Sequence, residues 1–173
     1  MKKIRIIISF IVLLGSCQCD DIFPEPNTGL PPISDTGENF IAFMLNEEVF
    51  YVNGTNFISD YRMDGRPYYL MIFSKEDFNR RHVKQYFTMQ FYNDISQGDS
   101  ILLINNQDIE IEFNNAYPLP DVIYYNENIV DGYVKFSKVD HESTIISGTF
   151  EMTLEKDGYE NLEITEGRFD FKY

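Results

Sequence analysis

Tyr86-Phe87-Thr88-Met89-Gln90-Phe91-Tyr92 interleaves apolar and polar side chains. Successive side chains of a strand point to opposite faces, so Phe87, Met89 and Phe91 share one face and Thr88, Gln90 and Tyr92 the other. A second stretch repeats the pattern, with Ile109, Ile111 and Phe113 opposing Asp108, Glu110 and Glu112. Each run predicts a strand with one face in a core and one in solvent. Outward from these, apolar runs at 40–45, 49–52, 68–74, 101–104, 122–125, 132–139, 144–155 and 162–173 are separated by turn residues such as Gln97-Gly98-Asp99, Asn105-Asn106 and Asp157-Gly158. Short strands at this spacing, rich in Phe, Tyr, Ile and Val, predict an all-β fold: an antiparallel sandwich or barrel of about 8–10 strands.

Three local features refine this expectation. Asn46-Glu47-Glu48 between the first two runs predicts a hairpin. In the last run Leu162 and Ile164 are even-numbered whereas Phe169, Phe171 and Tyr173 are odd, so the inward face changes phase across Glu166-Gly167 and a bulge is expected there. A single short helix is expected over 74–84, with Ser74 as cap and the pairs Glu76/Arg80 and Asp77/Arg81 four residues apart.

The amino end has a different grammar. Lys2, Lys3 and Arg5 precede the apolar run 6–14, which closes on Gly15-Ser16 before Cys17. This is the three-part secretory pattern, and the run is too short for a permanent span, which takes about 20 residues. Leu14-Gly15-Ser16-Cys17 resembles the bacterial lipobox, which implies that residues 1–16 are cleaved and that Cys17 carries the acyl chains. With Cys17 modified, Cys19 has no intramolecular partner, and the domain is expected to be stable through its core alone. The acidic Asp20-Asp21 that follows resembles the export signal of Bacteroidota lipoproteins. It implies an outer-membrane, lipid-anchored protein displayed on the cell surface, with the periplasmic face as the alternative.

The expected organisation is therefore a signal peptide at 1–16, a lipidated Cys17 and proline-rich tether at 17–39, and one β domain at 40–173. The tether contains four of the seven prolines and favours extended polyproline conformations. Cleavage leaves eleven basic against twenty-eight acidic side chains, a net charge of −17. Such a chain repels nucleic acid and anionic headgroups, so contact with membrane is expected through the lipid alone.

Chemistry is sparse. His82 and His141 lack companions at ligand spacing, no phosphate loop or nucleophile motif occurs, and no metal or cofactor is expected. Asp108, Glu110 and Glu112 put three carboxylates on one strand face, about 7 Å between neighbours, which is within the range used by glycosidases. Alternation in an acidic protein gives the same row without purpose, so a glycan-active hydrolase is the weakest reading. The surplus is aromatic: twelve Tyr and fifteen Phe with no Trp. In the doublets Tyr68-Tyr69 and Tyr124-Tyr125 one ring of each must face outward, and with Tyr117 they are the candidate ligand-binding residues. The expected function is a non-enzymatic binding or accessory module for a glycan or protein ligand. A barrel carrying a small apolar ligand is the alternative.

Two stretches, NFIAFMLNEEVFYVNG at 39–54 and ISGTFEMTLEKDGYENLEITEGRFDFKY at 146–173, resemble a family of Bacteroidota lipoproteins whose domain has no assigned function. That family usually has an Asn-Gly turn and often a Trp in the opening hairpin, where this chain has Asn46-Glu47-Glu48 and Phe50-Tyr51. The closing elements at 146–150 and 167–170 match better. The resemblance covers about a quarter of the chain, implies a small lipid-anchored β domain, and supplies no activity.

Overall fold

The computed structural model describes residues 29–54, 57–62, 68–77, 83–117 and 121–173. Residues 1–28, which include the expected signal peptide, Cys17 and Cys19, lie outside the described residues, as does His82. Eleven strands are present: β1 (Phe40–Leu45), β2 (Glu48–Asn53), β3 (Phe57–Arg62), β4 (Tyr68–Asp77), β5 (Val83–Phe91), β6 (Ser100–Leu102), β7 (Ile109–Tyr117), β8 (Val122–Tyr124), β9 (Ile129–Asp140), β10 (Ile145–Leu154) and β11 (Leu162–Lys172), with one 3-10 turn at Asn126–Asn128. They form a six-stranded sheet ordered β2-β1-β11-β10-β9-β6 and a five-stranded sheet ordered β3-β4-β5-β7-β8. All pairings are antiparallel. The expected all-β sandwich is therefore the fold, and strand β3 is one the sequence reading did not mark.

The inner faces meet through phenylalanine. Phe43 and Phe150 of the larger sheet lie 5.3 and 5.7 Å from Phe87 of the smaller, Phe73 lies 5.1 Å from Phe171, and Phe91 lies 5.2 Å from Phe136. These rings are fully buried, and each contributes on the order of 1.5–3 kcal/mol by leaving water. They fill the space between the sheets, where a barrel carrier would need a cavity.

The expected helix over 74–84 is absent from the described part of that segment. Ser74, Lys75, Glu76 and Asp77 extend β4 and pair with Tyr86, Gln85, Lys84 and Val83 of β5. Helical charge pairs contribute only a few tenths of a kcal/mol each, less than a strand ladder that also buries Phe73 and Phe87. The Lys75 ammonium instead donates to the Val49 carbonyl at 2.7 Å and sits over the Phe50 ring.

The bulge in β11 lies where the phase change placed it. Phe150 pairs with Gly167 and Met152 with Ile164, so β11 carries one extra residue. Glu166 takes the left-handed conformation at φ 52. Gly167 serves close approach, because a Cβ there would lie 2.4 Å from the Phe150 carbonyl.

Residues 29–39, read as the end of a tether, lie against the six-stranded sheet. Arg168 Nη1 donates to the Pro31 carbonyl at 2.9 Å. The Asp170 carboxylate, fully buried, accepts the backbone N–H groups of Thr36 (3.1 Å), Gly37 (2.8 Å) and Glu38 (3.0 Å) and the Ser147 hydroxyl (2.6 Å). Gly37, at φ 78, turns these consecutive amides toward one point, an arrangement that cradles anions. This strap covers the face on which Asp170 and Arg168 would otherwise meet solvent.

Candidate functional site

The structure separates the candidate tyrosines. Tyr69 and Tyr124 point into the core at 2% and 3% exposure, whereas Tyr68 is half-buried on the outer face of the five-stranded sheet and Tyr125 is exposed. One ring of each doublet faces in, and the inward rings form no surface platform. Tyr69 pairs with Phe91 at one end of that sheet, and Tyr117 pairs with Lys84 at the other. Seven strand residues separate the two rows, about 23 Å. The outward neighbour of Tyr68 is Tyr92, with ring centroids 6.3 Å apart, a pairing that only the β4–β5 register reveals.

The carboxylate row lies on the same outer face. Glu110 accepts the Tyr92 hydroxyl at 2.8 Å, and Asp108 accepts the Asn93 amide at 2.7 Å. None of the three carboxylates lines the cleft described next.

That cleft, of about 250 Å³, opens between the sheets at the β1–β2 end and is lined by Leu45, Asn46, Glu48, Gln85, Phe113, Asn115, Glu160 and Leu162. Its first wall is the hairpin turn. Asn46 and Glu47 both have positive φ, 46 and 71, the signs of the two-residue turn that follows strand twist. Asn46 then clamps the β10–β11 connection: its amide donates to Glu160 Oε1 (3.1 Å) and the Asn161 carbonyl (3.0 Å), and its side-chain oxygen accepts the Glu163 N–H (2.7 Å). The opposite wall is Gln85 and Asn115, paired across β5 and β7 with Gln85 Nε2 donating to Asn115 Oδ1 at 3.3 Å. Gln85 Oε1 and Asn115 Nδ2 make no hydrogen bond among the described residues.

The β10–β11 connection is fastened below. Tyr124 Oη donates to the Glu160 carbonyl at 2.6 Å, and Lys156 Nζ donates to the Ile123 carbonyl at 2.6 Å. Burial, followed by the Glu160 and Tyr159 charges, raises the Tyr124 hydroxyl above the ordinary tyrosine value, so it stays protonated and keeps donating. Phe113, Leu162 and Leu45 form the apolar floor. The sequence carried no signal for this site, because Asn46 and Asn161 lie 115 residues apart.

Fold and site together define a two-sheet antiparallel β-sandwich with an amide- and carboxylate-lined cleft at one end. Comparison with protein-family models, with curated proteins and with solved structures found no match.

Proposed function

We propose that this chain is a lipid-anchored envelope protein of the outer membrane whose sandwich is a non-enzymatic binding module for a neutral saccharide. The observation that carries the ligand class is the cleft. Two adjoining side-chain amides line it together with Glu48, Glu160 and the apolar Leu45, Phe113 and Leu162. Amides both donate and accept, which suits the neighbouring hydroxyls of a sugar ring, and the floor suits its C–H face. At about 250 Å³ the cleft is smaller than the ~300–1,000 Å³ of sites that enclose drug-sized ligands, so it suits one ring and not a long oligosaccharide. The carboxylates and the overall negative charge repel acidic sugars.

Replacing Gln85 and Asn115 together by Leu removes the donor and acceptor as a pair, which is close to neutral for stability. The double variant is expected to lose at least tenfold in retention on an array of neutral glycans while its melting temperature changes by only a few degrees. If the wild type binds no neutral glycan, or the variant binds as well as the wild type, the saccharide reading is wrong.

The anchor reading rests on Leu14-Gly15-Ser16-Cys17 and on the likeness to Bacteroidota lipoproteins. Cys17→Ala is expected to abolish incorporation of labelled fatty acid and to release the protein from sedimented membranes. Labelling that persists in this variant would disprove the assignment.

A further inference from the structure

The strap over the six-stranded sheet has a direction. Gly29 sits beside β2, where a Cβ would lie 3.6 Å from Val49 Cγ2, and Val49 pairs with Met44. The Pro31 carbonyl is held by Arg168, whose partner on β1 is Ala42. The amides of Thr36, Gly37 and Glu38 are held by Asp170, whose partner is Phe40. The strap therefore passes the levels of Met44, Ala42 and Phe40 in turn and runs antiparallel to β1. At its far end Lys138 Nζ donates to the Asp35 carbonyl at 3.1 Å, and Gly37 and Asn39 take positive φ, 78 and 62, where the chain doubles back into β1. Asn39 locks the reversal, its carbonyl accepting the Gly54 N–H at 3.1 Å and its Oδ1 the Lys172 N–H at 2.9 Å. Without the strap the chain would leave the sandwich at Asn39, at the end opposite the cleft. With it, the chain leaves at Gly29, beside the Val49 that follows Glu48 of the cleft wall.

We propose that the strap is an orienting device: it brings the anchored end of the chain to the cleft end of the sandwich, so that the cleft lies on the membrane side and the β9–β10 turn on the far side. This rests on the lipid anchor at Cys17 proposed above and not on the identity of the ligand. Gly29 is 12 residues from Cys17, and a chain spans at most about 3.6 Å per residue, so Gly29 stays within about 43 Å of the acylated residue whatever course the chain takes. An exit at Asn39, 22 residues from Cys17, would raise that limit to about 79 Å. The cleft is thereby confined to saccharides borne near the anchoring membrane. The opposite end of the sandwich lies farther out. From Leu154, which pairs with Leu162 of the cleft, β10 runs back to Ile145, roughly 31 Å away. The net negative charge repels anionic headgroups and leaves the point of attachment to decide which end lies nearer.

The test is energy transfer from the full acylated chain, in phosphatidylcholine vesicles, to an acceptor-labelled lipid. In a Cys19→Ser background the donor dye is carried by Glu47→Cys, in the hairpin turn at the cleft, or by Glu142→Cys, in the β9–β10 turn; both positions are exposed. Because the two ends lie roughly 31 Å apart along the strands, transfer from position 47 is expected to exceed that from position 142 by about twofold or more. Asp170→Ala frees the strap and moves the exit to Asn39, so the ratio should fall to one or below. A Gly-Ser spacer inserted before Gly29 leaves every contact of the folded domain in place and should lower transfer from position 47. Equal or stronger transfer from position 142 without these changes, or transfer from position 47 that the spacer leaves unchanged, would overturn the orientation alone. Protein that takes up no labelled fatty acid and does not float with the vesicles would overturn the anchor and the orientation with it.

Discussion

Asp170→Ala is expected to destabilise the protein by about 3 kcal/mol or more, because a hydrogen bond to a charged group is worth roughly 1.5–3 kcal/mol and this carboxylate accepts several. The substitution leaves the Ser147 hydroxyl and the Thr36, Gly37 and Glu38 amides without their acceptor. The strap then detaches, which rehydrates the amides and limits the loss. The same mechanism sets the domain boundary. A chain starting at residue 29 keeps the strap, whereas one starting at residue 39 loses it along with the three amides. Urea denaturation should show residues 39–173 weaker than 29–173 by a similar amount. Asp170→Ala in the shorter chain should cost less than in the longer one, because the two changes remove one interaction. Equal stability of the two fragments would refute the strap.

Acid provides a second measurement on this residue. Burial acts to raise the Asp170 carboxyl, but the Ser147 hydroxyl and the Glu38 and Gly37 amides outweigh it and hold the group below the ordinary aspartate value. The folded pKa is thus lower than the unfolded one. This contribution is complete above the unfolded value, near pH 4, and is lost as the pH falls through the lower, folded value. The stability gap between wild type and Asp170→Ala should therefore be constant near neutrality and narrow in acid.

Gly148→Ala should be the more damaging change. A Cβ there would lie 2.2 Å from the Lys135 carbonyl oxygen and 2.7 Å from the Phe169 ring. Neither can yield easily, since the carbonyl belongs to the β9 backbone that pairs with β10 and the ring is clamped in the core. A loss above about 4 kcal/mol, or failure to fold, is expected, which is the range reserved for severe core disruption. Gly158→Ala is the comparison: its Cβ would meet nothing within 4 Å, and the positive φ of 82 alone costs about 1–2 kcal/mol. A Gly148→Ala protein within 1 kcal/mol of wild type in urea denaturation would contradict the close approach.

Strands whose alternation is strict were legible from residues alone. Phe87, Met89 and Phe91 are buried, as are Ile109, Ile111 and Phe113, because a period of two assigns faces without knowledge of any partner. The bulge was legible for the same reason, since a change of phase has to be repaired somewhere between Ile164 and Phe169. β3 was missed because Phe57-Ile58-Ser59-Asp60 begins with two apolar residues and breaks the alternation. The helix over 74–84 was a local inference from charge spacing, and the pairing of β4 with β5 overrode it.

The functional regions were less legible. The doublet argument correctly put one ring of each pair outside, but it could not say that Tyr68 would lie beside Tyr92 or that Tyr69 would pack against Tyr61, Tyr173 and His141. His141 read as an isolated turn residue because its ring neighbours are distant in the chain. The cleft residues Asn46, Gln85, Asn115 and Glu160 form no motif for the same reason.

By itself, then, the sequence determined the all-β class, the two faces of each regular strand and the site of the β11 bulge, because these depend on backbone geometry repeated over a few residues. Only the tertiary structure decided which outward faces stay wet. Asp170 alternates with Phe169 and Phe171 as a solvent-facing residue should, yet it is fully buried, because a strap more than 130 residues earlier in the chain crosses that face and supplies the hydrogen bonds that solvent would have made.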